Sequence, residues 1–232
     1  MMEHLNILYE DTHIIVCVKP AGVPVQTKSL GTKDMESLLK NYLVHSSREN
    51  GQSAPYLAVI HRLDQPVSGI LVFAKTPSAA RVLNKQMQQH DFVKEYQAVV
   101  TGHLPKKTDT LSDYLVKNGR TNTSSVCSKG TFQAKHAELT YTVTKTVDFP
   151  PLSVVNVRLK TGRHHQIRVQ MANAGAPLWG DAKYNPQFGA GRGNYPIALC
   201  ANHLSFHHPI TQKEMEFEIP CDWSHIFNRK DS

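Results

Sequence analysis

His61-Arg62-Leu63-Asp64 lies between two apolar runs, residues 57–60 and 70–74, with Ser68-Gly69 forming a turn before the second run. Both runs have the length and composition of β-strands. A carboxylate beside an arginine and a histidine is therefore held on a sheet, where catalytic side chains are commonly placed. The tetrapeptide alone leaves two interpretations open: a structural Asp–Arg pair at a strand end, or a catalytic carboxylate.

The composition indicates a globular protein with a polyanionic partner. The chain has 232 residues, 40% of them hydrophobic and 19% charged, which suits one large domain or two small ones. Its net charge of +7 favours nucleic acid, because Lys and Arg side chains neutralise phosphates. No apolar run approaches the roughly 20 residues of a membrane helix, so we expect no membrane partner.

The termini and cysteines indicate a cytoplasmic protein. The first residues lack the basic and apolar segments of a secretory signal. The four cysteines are scattered and form no C-x-x-C pair, which favours reduced thiols. Adjacent histidines such as His164-His165 point in diverging directions and match no metal-binding spacing. We therefore predict no metal site.

The hydrophobic pattern predicts an α+β fold, with a mixed, mainly antiparallel sheet and flanking helices. Helices are predicted at residues 35–46, 77–90 and 163–174. Strands are predicted at residues 5–9, 14–18, 57–60, 70–74, 93–101, 138–147, 152–160, 197–200, 203–206 and 213–219. Residues 106–135 are polar and broken, with a single strand near 111–116.

Two further segments carry candidate functional side chains. The first reads Thr161-Gly162-Arg163-His164-His165-Gln166-Ile167-Arg168. It is either a basic helix start on the surface or an anion site, because an arginine can hold a carboxylate such as Asp64 through two hydrogen bonds. The second contains Tyr96 in a predicted strand, where the ring either packs in the protein or stacks on an extruded base.

Taken together, these segments resemble the RluA-type pseudouridine synthases over nearly the whole chain. The motifs that carry the resemblance are Lys19-Pro20-Ala21-Gly22-Val23-Pro24-Val25, His61-Arg62-Leu63-Asp64-Gln65-Pro66-Val67-Ser68-Gly69, Lys94-Glu95-Tyr96 with Gly102, residues 161–168, Gly180-Asp181 with Tyr184, and His203-Leu204-Ser205-Phe206 with His208-Pro209. Departures from the family pattern, such as Val67, His164 and Gln170, remove no catalytic group.

The resemblance implies the isomerisation of uridine to pseudouridine in ribosomal or transfer RNA. Asp64 would be the nucleophile, Tyr96 would stack on the flipped-out uracil, and Arg168 would pair with Asp64. The expected substrate-binding residues are His61, Arg62, Arg163, His165 and Gln166. Neither a metal nor an organic cofactor is expected.

The resemblance also implies one catalytic domain, residues 1–232, with a central RNA-binding cleft and no N-terminal S4-like domain. RNA contact would then come from the catalytic domain itself, and we expect a monomer. Candidate phosphate contacts are Lys28, Lys33, Lys106, Lys107 and Lys117.

Several alternatives stay open at this point. The carboxylate could attack C6 of the base, attack C1′ of the sugar, or promote elimination to a glycal. Arg62 could fill the position that the flipped base vacates, or be structural. The chain could also be a catalytically silent RNA-binding relative, or a carboxylate-dependent hydrolase of a small nucleoside that releases free uracil.

Overall fold

The structure, a computed structural model, describes residues 5–29, 31–49, 55–189 and 195–227, with the backbone alone for residues 46–49. Within those ranges no helix is long and apolar enough to cross a membrane. The strands are β1 (Asn6–Glu10), β2 (Ile14–Lys19), β3 (Ala58–Val59), β4 (Ser68–Ala74), β5 (Val93–Thr101), β6 (Thr108–Asn118), β7 (Thr123–Cys127), β8 (Lys135–Asp148), β9 (Pro151–Leu159), β10 (Leu199–His207) and β11 (Glu214–Glu218). The helices are α1 (Met35–Glu49), α2 (Pro77–Gln89), α3 (Gln166–Asn173) and α4 (Ser224–Phe227), with a 3₁₀ turn at Pro186–Phe188.

The chain forms two compact units. The first comprises Met1–Val93 and His203–Ile219, and the second comprises Lys94–Asn202 and Pro220–Ser232. Strand β10 contains the boundary between them. The predicted single catalytic domain stays a prediction.

The first unit is built on β2 and β4, which pair antiparallel from Ile14 opposite Ala74 to Lys19 opposite Gly69. Strand β1 pairs with β2, β3 pairs with β4, and β10 pairs with β11, all antiparallel. The side chains that alternate along these strands pack with Ala79, Ala80 and Leu83 of α2 in one apolar core. The predicted start of α2 is confirmed, because the Thr76 hydroxyl accepts the Ala79 N–H at 3.2 Å.

The second unit is an antiparallel sheet in the order β5-β9-β8-β6-β7. Helix α3 packs against β6 and β7, where Val169 joins Leu115 and Ala137 in a small apolar cluster. Trp179 and Phe188 pack in a second cluster with Val99 of β5. The predicted α+β class and the mainly antiparallel pairing are confirmed.

The sequence predictions were wrong in three places. Residues 106–135 contain two strands, β6 and β7, rather than one. Few of their side chains are fully buried, and the two strands are held together by backbone pairing, so the sequence shows little hydrophobic pattern there. One long strand, β10 (Leu199–His207), replaces the two strands predicted at residues 197–200 and 203–206. Helix α3 begins at Gln166, later than predicted, because His165 has a left-handed backbone with φ of 55°.

Candidate active site

Asp64 lies in the loop between β3 and β4, at the first position of a tight turn. Its carbonyl accepts the N–H of Val67 at 3.0 Å. The neighbouring Leu63 and Val67 side chains are buried, with exposed fractions of 8% and 2%, whereas Asp64 is half-buried. The buried apolar neighbours hold the turn in place, and Asp64 itself keeps part of its surface exposed.

Hydrogen bonds from the Lys19 side chain hold this loop against the end of β2. The side chain is fully buried, and its Nζ donates to the carbonyls of Pro20 (2.9 Å), Val23 (2.7 Å) and Gln65 (2.9 Å). Gln65 also exchanges hydrogen bonds with Gly22: its carbonyl accepts the Gly22 N–H, and its Nε2 donates to the Gly22 carbonyl. The residue directly after Asp64 is thus tied to the turn that follows β2.

Burial lowers the pKa of Lys19 to about 8, and the nearby Asp64 carboxylate opposes this shift. At neutral pH most of the Lys19 ammonium groups therefore stay charged. The attraction between the two groups is mutual, so the Asp64 carboxylate lies in the field of a buried cation.

His61 and Arg62 lie on the same loop in different environments. Nε2 of His61 accepts the Val72 N–H at 3.3 Å, and its ring meets Phe92 edge-on. Arg62 is exposed and donates from Nη2 to the Gln26 carbonyl at 3.3 Å. The contacts of His61 hold the loop against β4, whereas Arg62 extends into solvent; the predicted contacts of both residues with substrate stay predictions.

Tyr96 lies in β5 opposite Val157 of β9 and is 7% exposed. The side chain is therefore largely buried. Its predicted stacking on the uracil stays a prediction.

Arg168 and Asp181 form a buried, bidentate ion pair. Nε of Arg168 donates to Oδ2 of Asp181 at 2.8 Å, and Nη2 donates to Oδ1 at 2.7 Å. The two side chains are 5% and 0% exposed. Oδ1 of Asp181 also accepts the N–H groups of Lys183 and Tyr184. This arrangement fixes the plane of the guanidinium.

The segment before α3 is held by Gln166. Its Oε1 accepts from the Thr161 hydroxyl at 2.8 Å and from the Arg163 N–H at 2.9 Å, and its Nε2 donates to the Glu138 carbonyl. Arg163 is exposed, and its Nε donates to the His136 carbonyl. Gln166 therefore shapes the loop that leads to Arg168; the predicted substrate contacts of Gln166 and Arg163 stay predictions.

His165 is buried and neutral. Burial lowers its pKa to about 2, and the nearby Arg168 guanidinium and His164 ring act in the same direction. Its Nδ1 lies 2.7 Å from the Tyr184 hydroxyl, which accepts the Ser124 N–H. A neutral Nδ1 can accept the phenolic proton. The centroid of the Tyr184 ring lies 5.1 Å from the Arg168 guanidinium carbon. These contacts therefore help to hold the arginine side chain in place.

The predicted site residues divide between the two units. His61, Arg62 and Asp64 belong to the first, and the second contains Tyr96, Arg163, His165, Gln166 and Arg168. The predicted pairing of Arg168 with Asp64 joins the two units and stays a prediction.

Sequence reasoning assigned no role to Lys19, Asp181 or Tyr184, although each lies in a quoted motif. The structure shows one constraint beside Asp181 that the sequence does not: the preceding Gly180 has φ of 76°, and a Cβ there would lie 2.2 Å from the Pro196 carbonyl oxygen. Only glycine fits that position.

Comparison with known proteins is consistent with these motifs. Residues 13–173 match the family described as RNA pseudouridylate synthase. Ribosomal large subunit pseudouridine synthase D of Vibrio cholerae is 35% identical over 233 residues, covering 93% of this chain and 67% of that protein. An uncharacterized RNA pseudouridine synthase of Bacillus subtilis, YhcT, is 32% identical and covers 93% and 68% of the two chains.

Ribosomal large subunit pseudouridine synthase C of Escherichia coli is 33% identical, covering 93% of this chain and 66% of that protein. The fold is also similar to that of human RNA pseudouridylate synthase domain containing 1, with a TM-score of 0.77 at 24% identity, covering 95% of this chain and 85% of the other. The chain therefore belongs to the RNA pseudouridylate synthase family and is an RluA-type pseudouridine synthase.

Proposed function

We propose that this protein converts specific uridines of large-subunit ribosomal RNA to pseudouridine, with Asp64 as the nucleophile. Relatives named ribosomal large subunit pseudouridine synthases C and D support ribosomal rather than transfer RNA as substrate. The observation that carries the assignment of Asp64 is its place on a turn fixed by buried Lys19, with the carboxylate half-buried near that cation.

In this proposal the C1′–N1 bond of uridine breaks and a C1′–C5 bond forms. The C5 proton leaves to solvent, and N1 gains a proton, so that the product is an isomer of the substrate. An ionised carboxylate is required for attack on C6 or C1′ and for proton removal on the glycal route.

We assign Tyr96 to stacking on the uracil and Arg168 to pairing with Asp64. The bidentate contact with Asp181 uses Nε and one N–H of Nη2, whereas a guanidinium has five donors in a fixed plane. An arginine oriented in this way can present a further donor to a second carboxylate. The target uridine must leave its stack, at a cost of a few kcal/mol.

We further propose that the reaction takes place in the cytoplasm, on a monomeric enzyme, without a metal or an organic cofactor. The chemistry is an isomerisation, with no electron transfer and no added group. A carboxylate and proton transfer with solvent are sufficient for it.

The test is tritium release from RNA that carries 5-³H-uridine, with transcribed large-subunit RNA and transfer RNA as separate substrates. We expect release from the ribosomal RNA alone. Asp64→Asn should lower the rate by about a thousandfold or more. The matched control is Asp91→Asn, an exposed aspartate in the same unit, which should retain the rate.

Each alternative predicts a different result. A wild-type protein that binds both RNAs and releases no tritium would be a silent RNA-binding relative. Release of free uracil would indicate a hydrolase. An Asp64→Asn variant as fast as wild type would exclude Asp64 as the nucleophile, and release from transfer RNA alone would overturn the substrate assignment.

A further inference from the structure

The turn between β6 and β7 places exposed cations beside the segment that leads into α3. Lys117 lies near the end of β6, in register with Ser124 of β7, and Arg120 lies in the turn itself. Oδ1 of Asn118 accepts the Arg120 N–H at 3.0 Å and the Thr121 N–H at 3.3 Å. These bonds give the turn, residues 117–124, a defined shape.

Hydrogen bonds fasten this turn to the loops around α3. Nζ of Lys183 donates to the Asn122 carbonyl at 2.7 Å, and Nε2 of His164 lies 3.1 Å from Asn122 Oδ1. The Ser124 hydroxyl lies 2.8 Å from Nδ1 of the same histidine. Asn122 has a left-handed backbone, with φ of 50°, which asparagine tolerates. The turn is therefore a fixed part of the second unit.

The same contacts connect the turn to Arg168. The Ser124 N–H donates to the Tyr184 hydroxyl, which also contacts His165, and the Tyr184 ring lies beside the Arg168 guanidinium. The backbone N–H of Lys183 donates to Asp181, the partner of Arg168. A group bound at the turn is thus held at a fixed distance from Arg168.

Positive charge is concentrated here. Lys117 and Lys183 each contribute to the low pKa of the buried His165 ring, together with Arg168 and His164. The Lys117 and Lys183 side chains are nevertheless exposed, so their ammonium groups are available to an anion in solution. The turn adds the amide of Asn118 and the hydroxyl of Thr121, groups that donate hydrogen bonds to phosphate oxygens.

We propose that the β6–β7 turn, with Lys117, Arg120 and Lys183, binds the phosphate backbone of the RNA strand that carries the target uridine. The proposal rests on the proposed function for its partner and deepens it by naming the surface. It also selects Lys117 from the lysines that the sequence offered for phosphate contact, and adds Arg120 and Lys183. Since phosphate contacts position an RNA without reading its sequence, this surface sets the register of the strand relative to Arg168.

The test is the salt dependence of binding to transcribed large-subunit RNA. Each phosphate contact contributes roughly 0.7 to 0.9 to the slope of log Kd against log salt concentration. Lys117→Gln/Lys183→Gln should therefore lower the slope by about 1.5 and weaken binding at about 0.1 M salt roughly tenfold. Lys117→Arg/Lys183→Arg, which keeps the charge, should retain the wild-type slope.

The matched control is Lys129→Gln/Lys145→Gln, which removes the same charge from exposed lysines of the same unit and should retain the wild-type slope. An equal loss of slope in this control would show that the effect is general charge, and would overturn the proposal. An unchanged slope in Lys117→Gln/Lys183→Gln would also overturn it.

Asp64→Asn separates this proposal from the proposed function. That variant should keep the full salt slope while it loses tritium release. If the wild-type protein released no tritium and the lysine variant still lost its slope, the proposed function would fail and the surface would stand.

Discussion

The loop of Asp64 and the start of α3 each depend on a buried cation, but the two cations are satisfied in different ways. Lys19 donates to three neutral carbonyls, whereas Arg168 forms two hydrogen bonds with the Asp181 carboxylate. The arginine pair is neutral as a whole. Hydrogen bonds to neutral carbonyls leave the lysine with its full charge. They therefore offset only part of the free-energy cost of burying that charge.

This difference has consequences for both stability and chemistry. A paired arginine gives a rigid guanidinium whose charge does not change with pH. A buried lysine has a lowered pKa, and it remains charged at neutral pH partly because Asp64 is near. The Asp64 loop is therefore expected to be sensitive to pH and to the charge of Asp64, whereas the α3 segment is expected to be sensitive to the loss of either Arg168 or Asp181.

The largest stability effect is expected for Asp181→Ala, which leaves the buried guanidinium without this carboxylate. Breaking a buried ion pair costs about 3–5 kcal/mol in the free energy of unfolding, measured by urea denaturation. Asp148→Ala is the control, because its side chain is 80% exposed, and the expected change is within about 0.5 kcal/mol. Arg168→Met/Asp181→Ala should recover part of the loss. A loss of less than about 1 kcal/mol for Asp181→Ala would show that Asp181 is not the main partner stabilising the buried Arg168 charge, and would contradict the contrast with Lys19.

A smaller effect, read from the pH dependence of the free energy of unfolding, is expected for Lys19→Met. In the folded protein the pKa of Lys19 is about 8, whereas the unfolded chain keeps a value of about 10.4. Between these values the unfolded chain binds more protons, so the free energy of unfolding rises with pH, by up to about 3 kcal/mol. Lys19→Met should lose this rise, in addition to its three hydrogen bonds.

Urea denaturation at intervals from neutral pH to about pH 10 checks this. Lys85→Met, at an exposed position of α2, should keep the wild-type pH dependence. Asp64→Asn tests the contribution of the carboxylate to the Lys19 pKa. Without the carboxylate this pKa should fall further, and the rise in the free energy of unfolding should begin at lower pH. If the free energy of unfolding of Lys19→Met and of the wild type changes with pH in the same way, burial does not lower the Lys19 pKa. Lys19 and Arg168 would then not differ in the way described.

The sequence predicted the parts of both regions that local patterns encode. Strands β2 and β4 alternate apolar side chains, and Thr76-Pro77 marks the start of α2. The RluA-type motifs predicted the family, which the comparisons confirm, and also indicated Asp64, Tyr96 and Arg168. These predictions rest on residue type and spacing, which the chain carries directly.

The sequence could not predict the partners of the two buried cations. One carbonyl bound by Lys19 belongs to Gln65, 46 residues further along the chain, and a carbonyl contact leaves no residue type to recognise. Asp181, the partner of Arg168, follows Gly180, which has a positive φ and passes close to Pro196, and the sequence does not show such a backbone approach. Strand β7 was missed for a related reason, since backbone pairing with β6 rather than hydrophobic spacing defines it.

The smallest effect on stability is expected at Arg62, with an effect on activity that depends on whether the RNA is folded. This exposed cation lies two residues before Asp64 and makes a long 3.3 Å contact with the Gln26 carbonyl. Arg62→Ala should therefore change the free energy of unfolding by less than about 0.5 kcal/mol. If Arg62 fills the gap left by the flipped uridine, it offsets part of the few kcal/mol that unstacking costs.

The variant should then lower single-turnover tritium release about tenfold on folded RNA and leave the rate on a short unstructured RNA unchanged, because little stacking is lost there. Arg81→Ala, an exposed arginine on α2 of the same unit, is the control and should match wild type on both RNAs. Equal losses on folded and unstructured RNA would assign Arg62 to substrate binding in general. No loss on either would leave Arg62 a surface residue with no part in base flipping.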